Sequence, residues 1–272
     1  MHEIKLVLTD IDGTILPYGC DQVPAATRKA MHELIDAGIA TGPCTGRSRP
    51  WATRYLANDK SLTSTCVGTN GNEVYLNDAV LRRAQMPAEL IARVAQVTGE
   101  QEGAGTFWID GDDVYQASGS REDLSACSAA YGKAAKPGLI LPEAPVVKLN
   151  VFVNGSLERT REVADLLNAT FPELDFDVPQ PMLLNGMPTG WGKGSGVRVL
   201  AEALGCTMDQ VVVFGDADND LSMLEAVPNS VAVAGATPAA ASAARWHIGA
   251  CEDGAVADAM RALAAGQWPF EG

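Results

Sequence analysis

The stretch Ile4-Lys5-Leu6-Val7-Leu8-Thr9-Asp10-Ile11-Asp12-Gly13-Thr14 decides the fold. Its first six residues are a short apolar run, too brief for a helix, that stops at an acidic residue. Such a run reads as a strand of a parallel sheet, buried on both faces. Parallel sheets place ligand-binding groups just beyond the C-terminal ends of their strands. Side chains two apart on an extended strand share a face, so Asp10 and Asp12 are expected to stand together. Two like charges at close range are costly unless a cation or a shared proton offsets them. Gly13 lets the backbone turn sharply. A strand-ending Asx turn would also produce this pattern.

The same arrangement recurs near the other end of the chain. Gln210 to Phe214 is a second apolar run, and Gly215-Asp216-Ala217-Asp218-Asn219-Asp220 follows it. In a parallel sheet that acidic turn can face the first one. Clustered carboxylate oxygens suit a hard cation such as Mg2+, which takes one or two carboxylates plus water and phosphate oxygens. The spacing lacks the terminal glutamate of a twelve-residue calcium loop. Two weaker signals join these. Thr45-Gly46-Arg47 follows the predicted strand Ile39 to Cys44, where a hydroxyl and free N–H groups at a helix start suit phosphate, although a plain N-cap looks alike. Lys193, between Gly192 and Gly194, starts the helix expected over Gly194 to Leu204. A cation there opposes the helix dipole and invites an anion.

Outward from these points, strand and helix alternate. Pro24 to Ala37 and Trp51 to Ala57 read as helices and Leu62 to Val67 as a strand. Leu221 to Ala226, Pro238 to Ala244 and Ala255 to Ala264 read as helices, interleaved with strands at Ser230 to Ala234 and Trp246 to Ile248. This alternation predicts an α/β fold with a doubly wound parallel sheet. The middle differs. Helices are expected over Pro87 to Thr98, Arg121 to Lys133 and Glu158 to Ala169. Strands are expected at Thr106 to Ile109, Val146 to Val153 and Leu174 to Val178, with a hairpin around Gly111-Asp112. Residues 83–188 thus read as a smaller α+β domain inserted into a core made of 1–82 and 189–272.

The 272 residues carry 47% hydrophobic and 20% charged side chains, enough for a sizeable core. A formal net charge of −14 argues against nucleic acid and anionic membranes as general partners. Six scattered cysteines lack a C-x-x-C pair or a histidine pattern, which speaks against zinc and a disulfide framework. No apolar run approaches the length of about 18 residues that spans a membrane, and Met1 to Leu8 does not look like a secretory leader. A cytoplasmic location is the resulting expectation, with the oligomeric state left open.

The order Asp-x-Asp-Gly-Thr, Thr-Gly-Arg, Lys, Gly-Asp-x-x-Asn-Asp, over nearly the whole chain, resembles the haloacid dehalogenase superfamily, and more narrowly its Cof-type branch. The resemblance implies a Mg2+-dependent phosphatase acting on small phosphorylated metabolites, sugar phosphates foremost, through an aspartyl-phosphate. It implies that Asp10 is the nucleophile and a metal ligand, and that Asp12 is the general acid/base and meets the metal through its carbonyl. Asp216 and Asp220 complete the metal set. Thr45, Gly46, Lys193 and Asn219 bind phosphate, and Lys193 also neutralises the nucleophile. Asn70-Gly71 resembles an Asn-Gly dipeptide that precedes the inserted domain in this branch. Gly235-Ala236 departs from the pattern, which has Asn-Ala there. A receiver domain would need only about 120 residues. A sugar phosphomutase and a catalytically silent binding protein stay as alternatives.

Overall fold

The computed structural model describes residues 3–270. They form two compact units. One is built from both chain ends, breaking after Arg83 and resuming at Gly192; the other is Ala84–Trp191.

The first unit holds a five-stranded sheet. Its strands lie in the order Trp246–Ala250, Asn229–Ala234, Val211–Gly215, Leu6–Thr9, Ala40–Pro43, and every neighbouring pair is parallel. The central strand explains its own sequence. Val7 packs on one face with Met31, Leu34, Val212 and Met260, while Leu6 and Leu8 pack on the other with Val197, Leu200, Val213 and Met223. Both faces are covered by helices, so a continuous apolar run is required rather than an alternating one. Ala25–Asp36 is one of those helices and turns Thr27, Ala30, Met31 and Leu34 inward, at three- and four-residue spacing.

Register positions the functional loops. Thr9 pairs with Phe214 on one side and with Pro43 on the other. The Asp10 N–H donates to the Phe214 carbonyl at 2.9 Å, and the Cys44 N–H donates to the Thr9 carbonyl at 2.8 Å. Three loops therefore leave one edge of the sheet from adjacent strands. Strand order also reverses at Leu6–Thr9, whose two neighbours come from opposite ends of the chain. Open α/β sheets bind their ligands at such a point.

Residues 60–83 differ from expectation. Lys60–Thr63 is a 3-10 turn capped by Asp59, and the strand is confined to Cys66–Gly68. That strand pairs antiparallel with Glu73–Leu76, which pairs with Ala79–Arg83. The last two strands were not anticipated.

The second unit is a five-stranded antiparallel sheet ordered Asp113–Gln116, Ala104–Asp110, Lys148–Val153, Leu183–Pro188, Leu174–Gln180. Helices Ala88–Gly99 and Leu157–Thr170 bury Ile91, Val94, Val163 and Leu167 against Leu149, Val151, Val153 and Leu184. The hairpin closes between Asp110 and Asp113. The single helix expected over Arg121 to Lys133 is two, Arg121–Cys127 and Ala129–Ala134. Ser128 breaks it, because its hydroxyl accepts the Tyr131 N–H and starts the second helix. All six cysteines are free thiols. No helix among the described residues is long and apolar enough to cross a membrane.

Candidate active site

Three carboxylates and one ammonium meet at the C-terminal edge of the parallel sheet. Lys193, the first residue of helix Lys193–Ala203, is wholly buried. Its Nζ donates to Asp10 Oδ1 at 2.6 Å and to Asp220 Oδ1 at 2.5 Å. The second oxygen of Asp220 accepts the backbone N–H groups of Asp216 and Ala217, at 2.9 and 3.1 Å. The Thr14 hydroxyl donates to Asp216 Oδ1 at 2.5 Å. Asp10, Asp216 and Asp220 each present an oxygen within 4.8 Å of the others.

Small residues make this convergence possible. A Cβ on Gly215 would stand 2.7 Å from an Asp220 carboxylate oxygen, so the acidic turn folds back only over glycine. A side chain on Gly194 would run into the Ser222 carbonyl; its absence seats the lysine-bearing helix directly on Leu221–Ala226, the short helix that follows the acidic turn. Gly13 takes φ +79, and a Cβ there would strike the Asp216 carboxylate.

The electrostatics arise from burial. Desolvation pushes the Asp10 carboxyl well above its usual range; Asp220, Asp216 and Asp12 add to this and Lys193 opposes it. Burial lifts Asp216 to about 6, with Asp220 and Asp12 reinforcing and the Thr14 bond and Lys193 opposing. Burial alone would lower the pKa of Lys193, but Asp10 and Asp220 outweigh it and hold the ammonium charged. The cluster is short of positive charge. An oxygen-only donor set with this deficit fits a hard divalent cation and offers nothing to a soft one.

The remaining predicted residues line the loops around this cluster. Thr45 is buried, its N–H donating to the Val67 carbonyl at 2.8 Å and its hydroxyl accepting the Arg47 N–H at 3.2 Å. Gly46 lies under the Asn70 side-chain amide. Asn219 is half-buried in the 3-10 turn Asp218–Asp220, and its side chain makes no hydrogen bond among the described residues. Asp218 points outward and accepts the Thr237 hydroxyl at 2.7 Å. Gly235 has φ +92, a backbone conformation that suits glycine.

Asp12 stands apart from the trio. Its side chain is 46% exposed and turns toward Arg47, which holds both carboxylate oxygens, Nε to Oδ2 at 2.7 Å and Nη2 to Oδ1 at 2.6 Å. The guanidinium also lies 4.0 Å from the centre of the Tyr55 ring. Sequence reasoning assigned no role to Arg47 or Thr14. Both sit inside quoted motifs, but their partners are 35 and 202 residues away.

The profile of the haloacid dehalogenase-like hydrolases matches residues 7–260. A candidate phosphatase of Streptococcus pyogenes serotype M6 is 27% identical over 95% of this chain and 97% of its own. An HMP-PP phosphatase of Enterobacter sp. (strain 638) is 25% identical over 86% of this chain and 85% of its own. The solved subclass IIB sugar phosphatase BT4131 superposes with a TM-score of 0.79, at 20% identity, over 94% of this chain and 98% of its own. By the span of the profile match, the chain belongs to the haloacid dehalogenase-like hydrolases, as a Cof-type member.

Proposed function

We propose that the protein is a Mg2+-dependent phosphatase of small phosphorylated metabolites, sugar phosphates foremost, working through an aspartyl-phosphate on Asp10. The observation that carries this reading is the buried Asp10–Lys193–Asp220 chain with Asp216 beside it. The relatives named as phosphatases support the reaction class. Their names point to different substrates, so the sugar phosphate remains this reading's own step.

Phosphoryl transfer asks mainly for positioning and charge neutralisation. Lys193 occupies one oxygen of Asp10, and the other has no hydrogen-bond partner among the described residues, which leaves it to attack phosphorus in line with the departing oxygen. Asp10, Asp216 and Asp220, with the Asp12 carbonyl, would hold Mg2+, which when bound supplies neutralisation of the phosphoryl oxygens. The Thr45 hydroxyl, the Gly46 N–H and the Asn219 amide are the donors for the phosphate. Asp12 is the proton carrier: it gives a proton to the leaving oxygen, then takes one from the water that attacks the phosphoenzyme. Arg47 must first release it, and an incoming phosphate dianion is a natural competitor for that guanidinium.

The test is phosphate release across a panel of phosphorylated metabolites, with Mg2+ and with chelator. Release that stops with chelator is expected. Full activity after thorough metal removal contradicts the reading, and an isomerised sugar phosphate without release assigns the site to a mutase.

A further inference from the structure

Tyr18 is the most exposed of the large apolar side chains, at 79% of its free surface. A solitary exposed aromatic ring is ordinary on a protein surface. Its address is what singles it out. Tyr18 lies eight residues past Asp10, on the loop that carries Asp10 and Asp12, between Pro17 and the left-handed Gly19. Its hydroxyl reaches back to the site: it is 2.8 Å from where a Cβ on Gly13 would stand, and an Asp216 carboxylate oxygen lies closer still to the same point. That end faces the Asp216 carboxylate, yet it makes no hydrogen bond among the described residues. The side chain thus runs from the reacting centre outward, one end at the carboxylates and its ring faces open.

We propose that Tyr18 is a specificity-determining residue, an aromatic platform that receives a ring-bearing leaving group as its phosphate sits over Asp10. The chemical class favoured is the phosphate ester of a cyclic alcohol or phenol, whose ring face lies on the tyrosine ring. Open-chain phosphate esters reach the same carboxylates with nothing to lay on the platform. This inference rests on the phosphatase reading of the Asp10 cluster.

The experiment compares kcat/KM for p-nitrophenyl phosphate, which carries a ring, with that for glycerol 3-phosphate, which does not. Wild type, Tyr18→Ala and Tyr18→Phe are assayed with Mg2+. A stacked ring contributes an amount equivalent to about tenfold in rate or binding. The ratio of the two kcat/KM values should therefore fall about tenfold in Tyr18→Ala, through KM, and stay within about threefold of wild type in Tyr18→Phe. Removal of so exposed a side chain leaves no cavity, so unchanged melting temperatures should accompany the kinetics. An unchanged ratio in Tyr18→Ala overturns the platform. Equal falls in both variants also overturn it, because they move the effect to the hydroxyl. A wild type that hydrolyses neither ester, under conditions where the protein is folded, removes the phosphatase reading and this inference with it.

Discussion

Lys193 has no exposed surface, and a buried ammonium persists only where carboxylates surround it. Lys193→Met keeps the length of the side chain but leaves Asp10 and Asp220 without their cation. Removing one partner of a buried pair costs about 3–5 kcal/mol. Denaturant unfolding of the metal-free variant at pH 7 should show a loss of that order, and kcat should fall at least about a hundredfold. Wild-type stability would mean that the ammonium does not compensate the carboxylates. Asp216 gives a pH signature of opposite sense to an ordinary paired carboxylate. Its folded pKa, about 6, lies above the unfolded value, so the protonated form is the one that folding favours. The stability it contributes is complete below the unfolded carboxylate range and is lost as pH rises through about 6. Metal-free protein should therefore lose roughly 1–3 kcal/mol between about pH 4 and pH 6.5 from this group. In Asp216→Asn that loss should be absent, and identical stability curves for the two proteins would show that the carboxyl is not strained. At this scale the sequence was readable where chemistry is local. Asp10, Asp12, Asp216 and Asp220 announce themselves as acidic groups at strand ends. The Arg47 grip on Asp12 does not, because no spacing rule links an arginine after one strand to an aspartate after another.

The elements that carry these residues are held at fixed separations by glycine. Gly194 permits the Lys193–Ala203 helix to touch the Ser222 backbone. Gly194→Ala should force the helix away and carry Lys193 with it, costing about 2–3 kcal/mol by overpacking and reducing turnover sharply. Gly99→Ala is the control: its Cβ would meet only the Ser118 Cβ, at an ordinary 3.6 Å, and should change stability by less than about 1 kcal/mol. Equal effects in urea melts of the two variants would contradict the packing argument. The core strands were legible because burial on both faces leaves an unbroken apolar run. Ala79–Arg83 was not, since four of its five residues are exposed and its pattern carries no burial signal. Leu183–Pro188 was missed for a different reason. It is buried, but Asn185 sits within it, paired to Asn150 and Asp177 across neighbouring strands, and polar residues with distant partners read as loop. The Ser128 break had a local cue, a serine able to cap the helix beginning at Ala129, but helical periodicity on either side outweighed it.

For the molecule as a whole, the proposed metal site would couple folding to metal. Like charges converge in the folded chain and separate in the unfolded one, so Mg2+ should bind the folded form and raise the melting temperature. At a free concentration about 100 times Kd, linkage gives roughly 2.7 kcal/mol. Asp10→Asn and Asp216→Asn should each shrink the shift while leaving the metal-free protein as stable as wild type or more so. An equal shift in all three proteins would place the ion elsewhere. The alternation of strand and helix foretold where these groups meet, because parallel strand ends share one edge. The central claim remains that Asp10 takes the phosphoryl group onto itself. The most direct measurement is a rapid acid quench of wild type and Asp10→Asn during turnover of a radiolabelled phosphate ester, followed by peptide mapping. The account predicts label on the wild-type peptide that contains Asp10, released by hydroxylamine, and none in the variant. Sustained turnover by Asp10→Asn, or label on another residue, would contradict it.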